Sequence, residues 1–248
     1  MSLSTHGIFE TLVIIHIITG TVGLISVWIP IAGKKGGRLH RQAGTIFVIS
    51  MLTTGLVATG IAITTLADPV ATHPHLSNHE LFANSQMIAG IFGWMMLYLA
   101  TLTINLAWHG WLCMKNKRDH HKNAAWHNLV MQFVLVATSA NCFLRGVELA
   151  QPMMMGIALV GFATVGTNLW FIYRQPTSAK TRIKEHIKSL VGAGISVYTA
   201  FFAFGAVRFV PEIALTPGLW AIPLVTGLVL IVYHQRAVMS PSRSVQPT

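Results

Sequence analysis

Long apolar runs alternate along the chain with short polar, basic or glycine-rich stretches. Seven runs stand out, at about 8–33, 43–67, 81–111, 125–149, 152–173, 187–210 and 216–234. A hydrocarbon core about 30 Å thick takes roughly 20 apolar residues per helical crossing. The pattern therefore predicts an all-α membrane bundle of seven transmembrane helices, forming a single domain over 1–248. Stretches such as "LVGFATVGTNLWFIY" are apolar on every face, whereas strands of a membrane barrel alternate in polarity over segments of roughly ten residues. The opening "MSLSTHGIFETLV" has no Lys or Arg ahead of the first run and holds Glu10 within it. It lacks the basic region of a cleaved signal peptide, so the first helix is expected to remain.

Composition supports this pattern. Of 248 residues, 53% are hydrophobic and only 10% charged, a balance foreign to a water-soluble domain of this size. The charges that remain are distributed unevenly. One set of loops holds Lys34, Lys35, Arg38 and Arg41, then Lys115, Lys117, Arg118 and Lys122, then Arg174, Lys180, Arg182, Lys184 and Lys188; the tail adds Arg236 and Arg243. Only Arg145 and Arg208 fall near the other side. The positive-inside rule then sets the N-terminus outside and the C-terminus inside an inner (plasma) membrane. The formal charge of +10 reads as a topology signal and an attraction to anionic lipids of the inner face, not as a nucleic-acid surface. A membrane-protein partner or a homo-oligomer is compatible with the same pattern. Cys113 and Cys142 fall near opposite faces of antiparallel helices and are not expected to join.

Ionisable residues inside a membrane are costly and mark candidate sites. In the fourth run His127, Met131, Val134, Thr138, Asn141, Arg145 and Glu148 recur at spacings of three and four, so they share one helix face, expected to point into the bundle. In the third run Trp94, Tyr98, Thr101 and Asn105 form a stripe ending at His109. An inner group is predicted from His40, His109, His127 and His186 with Arg38 and Arg41, and His40 with His127 is the first pair expected. An outer polar cluster is predicted from Glu10, His16, Asn141, Arg145 and Glu148. The loop "DPVATHPHLSNHE" brings His73, His75 and His79 together as candidate metal ligands, although a polar exposed loop explains them as well. Gly36 and Gly37 are expected to let the first basic loop turn tightly.

The combination of His16, the loop motif His40-Arg41-x-x-Gly44, and His127, Met131 and Arg145 on a later helix resembles a family of predicted bacterial integral membrane proteins of unknown function. The resemblance covers residues 8–149, a four-helix part, and leaves three further helices over 150–248. It implies that His16, His40, Arg41, His127 and Arg145 act together.

Three functions fit. A b-type haem or related redox protein would use bundle histidines as axial ligands, with Arg38 and Arg41 facing propionates. A transporter or proton-linked carrier would line a path with His16, Asn141, Arg145 and Glu148. A non-enzymatic assembly or sensory factor would use its polar residues for packing. The last apolar run contains no Lys, which removes a retinal Schiff base of the microbial-rhodopsin kind. No G-x-S-x-G, H-E-x-x-H or phosphate-loop motif is present.

Overall fold

The computed structural model describes residues 5–76, 80–82, 84–174, 178–207 and 217–239. Among these residues there is no β-strand. The first crossing is α1 (Thr5–Ser26) followed by the short α2 (Trp28–Ala32). Pro30 has no N–H to continue the ladder, so the helix breaks one turn before it, at Val27. A tight turn follows in which Gly36 adopts φ 74, a left-handed conformation that glycine takes without strain.

The second crossing is α3 (Arg38–Ala67), followed by α4 (Pro69–Thr72). Asp68 accepts a hydrogen bond from Ala71 N at 3.0 Å and caps α4. The third crossing starts as α5 (Ser85–Ile88), passes through a π-helical segment at Ala89–Met95, and continues as α6 (Met96–Lys115). Beyond it come α7 (Trp126–Glu148), α8 (Pro152–Tyr173), α9 (Ala179–Val207) and α10 (Pro217–Met239). The α7–α8 turn passes through Ala150, a non-glycine residue at φ 50.

Six spans are long and apolar enough to cross a membrane: Thr5–Ala32, Arg38–Ala67, Ser85–Lys115, Trp126–Glu148, Pro152–Tyr173 and Gly218–Met239. Helix α9 matches them in length, but it starts at Ala179 instead of 187 and takes Lys180, Arg182, Lys184, Glu185 and Lys188 into its first turns. The span containing α6 lies at the centre: 61% of its apolar window is buried, against 22% for the first span and 17% for the last. Helix α6 packs on α3, α7 and α9, while α1 lies on α3, α8 on α7 and α10 on α9.

Small residues allow these approaches. A Cβ on Gly161 of α8 would meet Ser139 Oγ of α7 at 2.1 Å and Tyr98 of α6 at 2.8 Å. The outward faces are apolar, with Ile14, Ile18 and Ile25 on α1 and Ile46, Ile49, Leu56 and Ile63 on α3 all exposed. An exterior of this kind belongs against lipid rather than water.

Every described Lys and Arg except Arg145 lies at the end where the 33–37, 116–125 and 174–178 connections meet. Trp28, Trp126, Trp170, Tyr173 and Tyr233 are exposed near the same end, as aromatic residues of a membrane interface are. Arg208, Glu212 and Arg243 lie outside the described residues.

Candidate functional site

The buried face of α7 is made by Asn128, Gln132, Leu135, Ser139, Cys142 and Gly146. This corrects the expectation that the His127–Arg145 face points inward. His127 is exposed, with its ring edge-on to Trp108 and Trp126 at 5.9 Å each. Both faces carry polar residues at helical spacing. The inward one is decided by the small side chains that let α8 approach, where Cys142 Sγ meets Met154 O at 3.6 Å and Gly146 abuts Met154 and Met155.

Behind that face a polar core joins four helices. Asn168 of α8 donates to Asn105 Oδ1 of α6 at 2.9 Å and to Gln132 Oε1 of α7 at 3.2 Å. Lys188 of α9 donates to Asn168 Oδ1 at 3.2 Å and to Thr167 Oγ1 at 2.9 Å. Its ammonium also pairs with Glu185 at 2.5 Å, and the same carboxylate oxygen accepts from His109 Nε2 at 3.1 Å. The His109 side chain is 1% exposed and that of Glu185 13%. Asn105, Gln132 and Asn168 are buried. Asn168 lies five residues from the end of α8 and Gln132 six from the start of α7, about 8–9 Å in from those helix ends at 1.5 Å per residue.

Toward the basic end the polar chain continues. The ring of Phe171 stands edge-on to both His109 and His120, at 5.6 Å and 4.9 Å. His120 Nε2 donates to Phe171 O at 3.0 Å, so its Nδ1 is free to accept from Asn123 Nδ2 at 3.2 Å. Asn116 and Asn128 both bond to Asn123, at 3.0 Å and 2.7 Å. Within this core His109 Nδ1, Asn128 Oδ1, Gln132 Nε2 and Ser189 Oγ are buried without a partner. Buried polar groups are nearly always paired, so a concentration of such atoms marks this core as a candidate site.

Of the other sequence candidates, His40 and His186 lie near enough to interact electrostatically, and the rest are dispersed. His40 Nδ1 meets Pro30 O at 3.3 Å and His186 Nδ1 donates to Gly110 O at 2.8 Å, so His40 and His127 do not share a partner. Arg38 and Arg41 are exposed at the start of α3. His16 of α1 faces the Thr54 backbone of α3, beside the hydrogen bond from Thr54 Oγ1 to Thr19 Oγ1 at 2.9 Å. Glu10 pairs with His6 at 3.2 Å in an exposed position. Arg145 pairs with Glu148 at 2.7 Å and lies over Trp94 at 5.6 Å. Asn141 lines an open groove between α6 and α7 with Trp94, Leu97 and Thr138.

The predicted outer cluster is thus divided among three places. The residues that the family resemblance groups together are likewise seated apart.

His73 is a buried packing residue. Its ring centroid lies 4.6 Å from Phe92 and 5.1 Å from Phe9. Burial, helped by the charge of His75, pushes its pKa down to about 4. His79 lies outside the described residues, and among those described no group of three or more His, Cys, Asp or Glu is arranged for a metal ion.

The stripe Tyr98, Thr101, Asn105, His109 is buried as its spacing predicts. Trp94 leaves it because it lies in the π-helical segment, whose wider turn breaks the α-helical spacing. Compared with family profiles, curated proteins and solved structures, the chain matches none.

Sequence reasoning passed over Glu185, Lys188, Asn168 and Gln132. The available signals were an acid inside the basic stretch "KTRIKEHIKS" and two amides inside apolar runs.

Proposed function

We propose that the chain is a seven-crossing proton-linked carrier of a bacterial inner membrane, N-terminus outside, with His109 and Glu185 as its proton-binding unit. One observation carries this reading: a largely buried carboxylate is shared by a His and a Lys, and the Lys reaches the buried amide cluster. A proton on Glu185 removes the charge that holds Lys188. Lys188 is then left to Asn168 and Thr167 alone, and the change passes through Asn168 to Asn105 and Gln132. A carboxylate hydrogen-bonded to an imidazole gives a proton two adjacent groups between which to pass. The orphaned His109 Nδ1 supplies a second proton-accepting atom in the same place.

A polar track continues toward the other face. Thr101 and Thr138 share a hydrogen bond at 2.7 Å, Asn141 Oδ1 is buried without a partner, and Arg145 and Glu148 form the outer pair. In a hydrocarbon core, groups of this kind mark ion and substrate paths.

Purified protein in pyranine-loaded liposomes under a potassium diffusion potential tests the reading. We expect proton uptake above that of protein-free vesicles, falling by about tenfold or more in Glu185→Gln, with His109→Gln showing the same loss. Equal uptake in wild type and Glu185→Gln, both monodisperse on size exclusion, overturns it.

A further inference from the structure

A second feature lies at the basic end, away from the polar core. A cavity of about 200 Å³ opens between the α1–α2 break, α9 and α10, walled by Val27, Ile31, Gly194, Ile195, Gly227 and Leu230 among others. Small-molecule sites run to roughly 300–1,000 Å³ with a few convergent polar groups; this one is smaller and its walls are almost wholly apolar. Its two aromatic polar groups are occupied: Trp28 Nε1 donates to Tyr198 Oη at 2.6 Å, and Tyr198 Oη donates to Leu24 O at 3.1 Å. Part of a hydrocarbon chain fits such a space, the rest continuing along the open side between the helices; a hydrogen-bonding solute finds little to bond.

The rim at the basic end has the opposite character. Lys35 Nζ donates to Pro30 O at 2.8 Å and to the carbonyl of Ile31, itself a wall residue. His40 Nδ1 meets the same Pro30 O at 3.3 Å, which brings two nitrogen groups onto one carbonyl at the mouth. His234, one turn beyond Leu230 on α10, interacts electrostatically with Lys35. An ammonium carries three donors, so Lys35 has one left after its two carbonyls.

We infer that this cavity binds one anionic glycerophospholipid, an acyl chain lying against Gly194 and Gly227 and the phosphate held by Lys35 with His40. A dry apolar slot ending at a fixed cation complements the apolar and anionic ends of that molecule. The inference rests on the membrane reading and is independent of the carrier proposal.

Native mass spectrometry of the full-length protein from mixed phosphatidylglycerol and phosphatidylcholine nanodiscs tests it. Wild type is expected to retain one phosphatidylglycerol in preference to phosphatidylcholine by about fivefold, the weight of one basic residue near an anionic headgroup. Lys35→Gln should abolish the preference, while Lys117→Gln, a cation at the same end on another loop, should leave it. Thr226→Phe, which fills the slot, should remove the retained lipid, and Gly194→Leu serves the same purpose should Thr226→Phe misfold. Equal retention of both lipids by wild type overturns the inference, as does a preference unchanged in Lys35→Gln.

Discussion

Helices α6 and α7 each present one face to the buried polar core and another to the open groove, so two regions built from the same helices invite comparison. In the core Asn105, Gln132, Asn168, Glu185, Lys188 and His109 form one connected set reaching four helices. In the groove the polar residues act singly or in pairs: Thr101 with Thr138, Arg145 with Glu148, and Asn141 with an unpartnered carbonyl oxygen. The residue types and spacings are alike. What differs is connectivity, and in a low-dielectric surrounding a connected, largely buried network has much more at stake than isolated pairs.

The largest expected effect tests that difference on two acids. Glu185→Ala leaves Lys188 and His109 without their anion in a largely buried position and should cost roughly 3–5 kcal/mol in a reversible unfolding titration. Glu148→Ala removes only an exposed ion pair and should cost about 1 kcal/mol or less. Equal losses would erase the distinction.

Acid should loosen the groove before the core. The folded His73 pKa lies near 4, below the unfolded value of about 6.5. Between those values the unfolded chain binds a proton that the folded chain does not. His73 therefore costs nothing above about pH 6.5, and stability falls as pH drops toward 4, by up to about 3 kcal/mol. Because His73 packs on Phe92, within the segment that carries Trp94 into the groove, His73→Phe should flatten this part of the pH profile.

Two amides sharpen the contrast further. Asn168→Leu strands Lys188, Asn105 and Gln132 and should lower stability by about 1–3 kcal/mol. Asn141→Leu removes an oxygen that bonds nothing and should be neutral or slightly stabilising by the same measurement. The smallest effect is expected for Thr138→Val, about 0.6 kcal/mol, the typical worth of one interhelical hydrogen bond in a membrane.

The helical membrane architecture is legible in the sequence because the lipid solvent imposes it: Pro152–Tyr173 coincides with the predicted 152–173, and Trp126–Glu148 lies within one residue of 125–149. Gly36 appears in its expected turn. The polar core was harder to see. In water, the polar side of a helix faces out and periodicity orients it; in lipid, two polar faces on one helix such as α7 are indistinguishable by spacing alone. Helix α9 was misread at its start because Lys184 and Lys188 look like loop charges until Glu185 and Asn168 are placed beside Lys188. Histidine as a residue type does not mark a shared site, because His40, His109, His127 and His186 have separate first partners. The residue that decides their weight is Glu185, an acid in a basic stretch.

The π-helical segment at Ala89–Met95 makes the third crossing two screws of the same pitch set out of phase. The extra residue held there is worth about 100° of rotation at 3.6 residues per turn. Deleting one residue between Ala89 and Met95 would let a continuous α-helix form, yet every side chain on the outer part, from Ser85 to the deletion, would swing by a quarter turn relative to Tyr98 and Asn105. Gly90 would turn away from Leu149 and Gly93 from Leu66, and the connection from Asp68 would have to follow. A shorter, more regular helix would thus be the more disruptive variant.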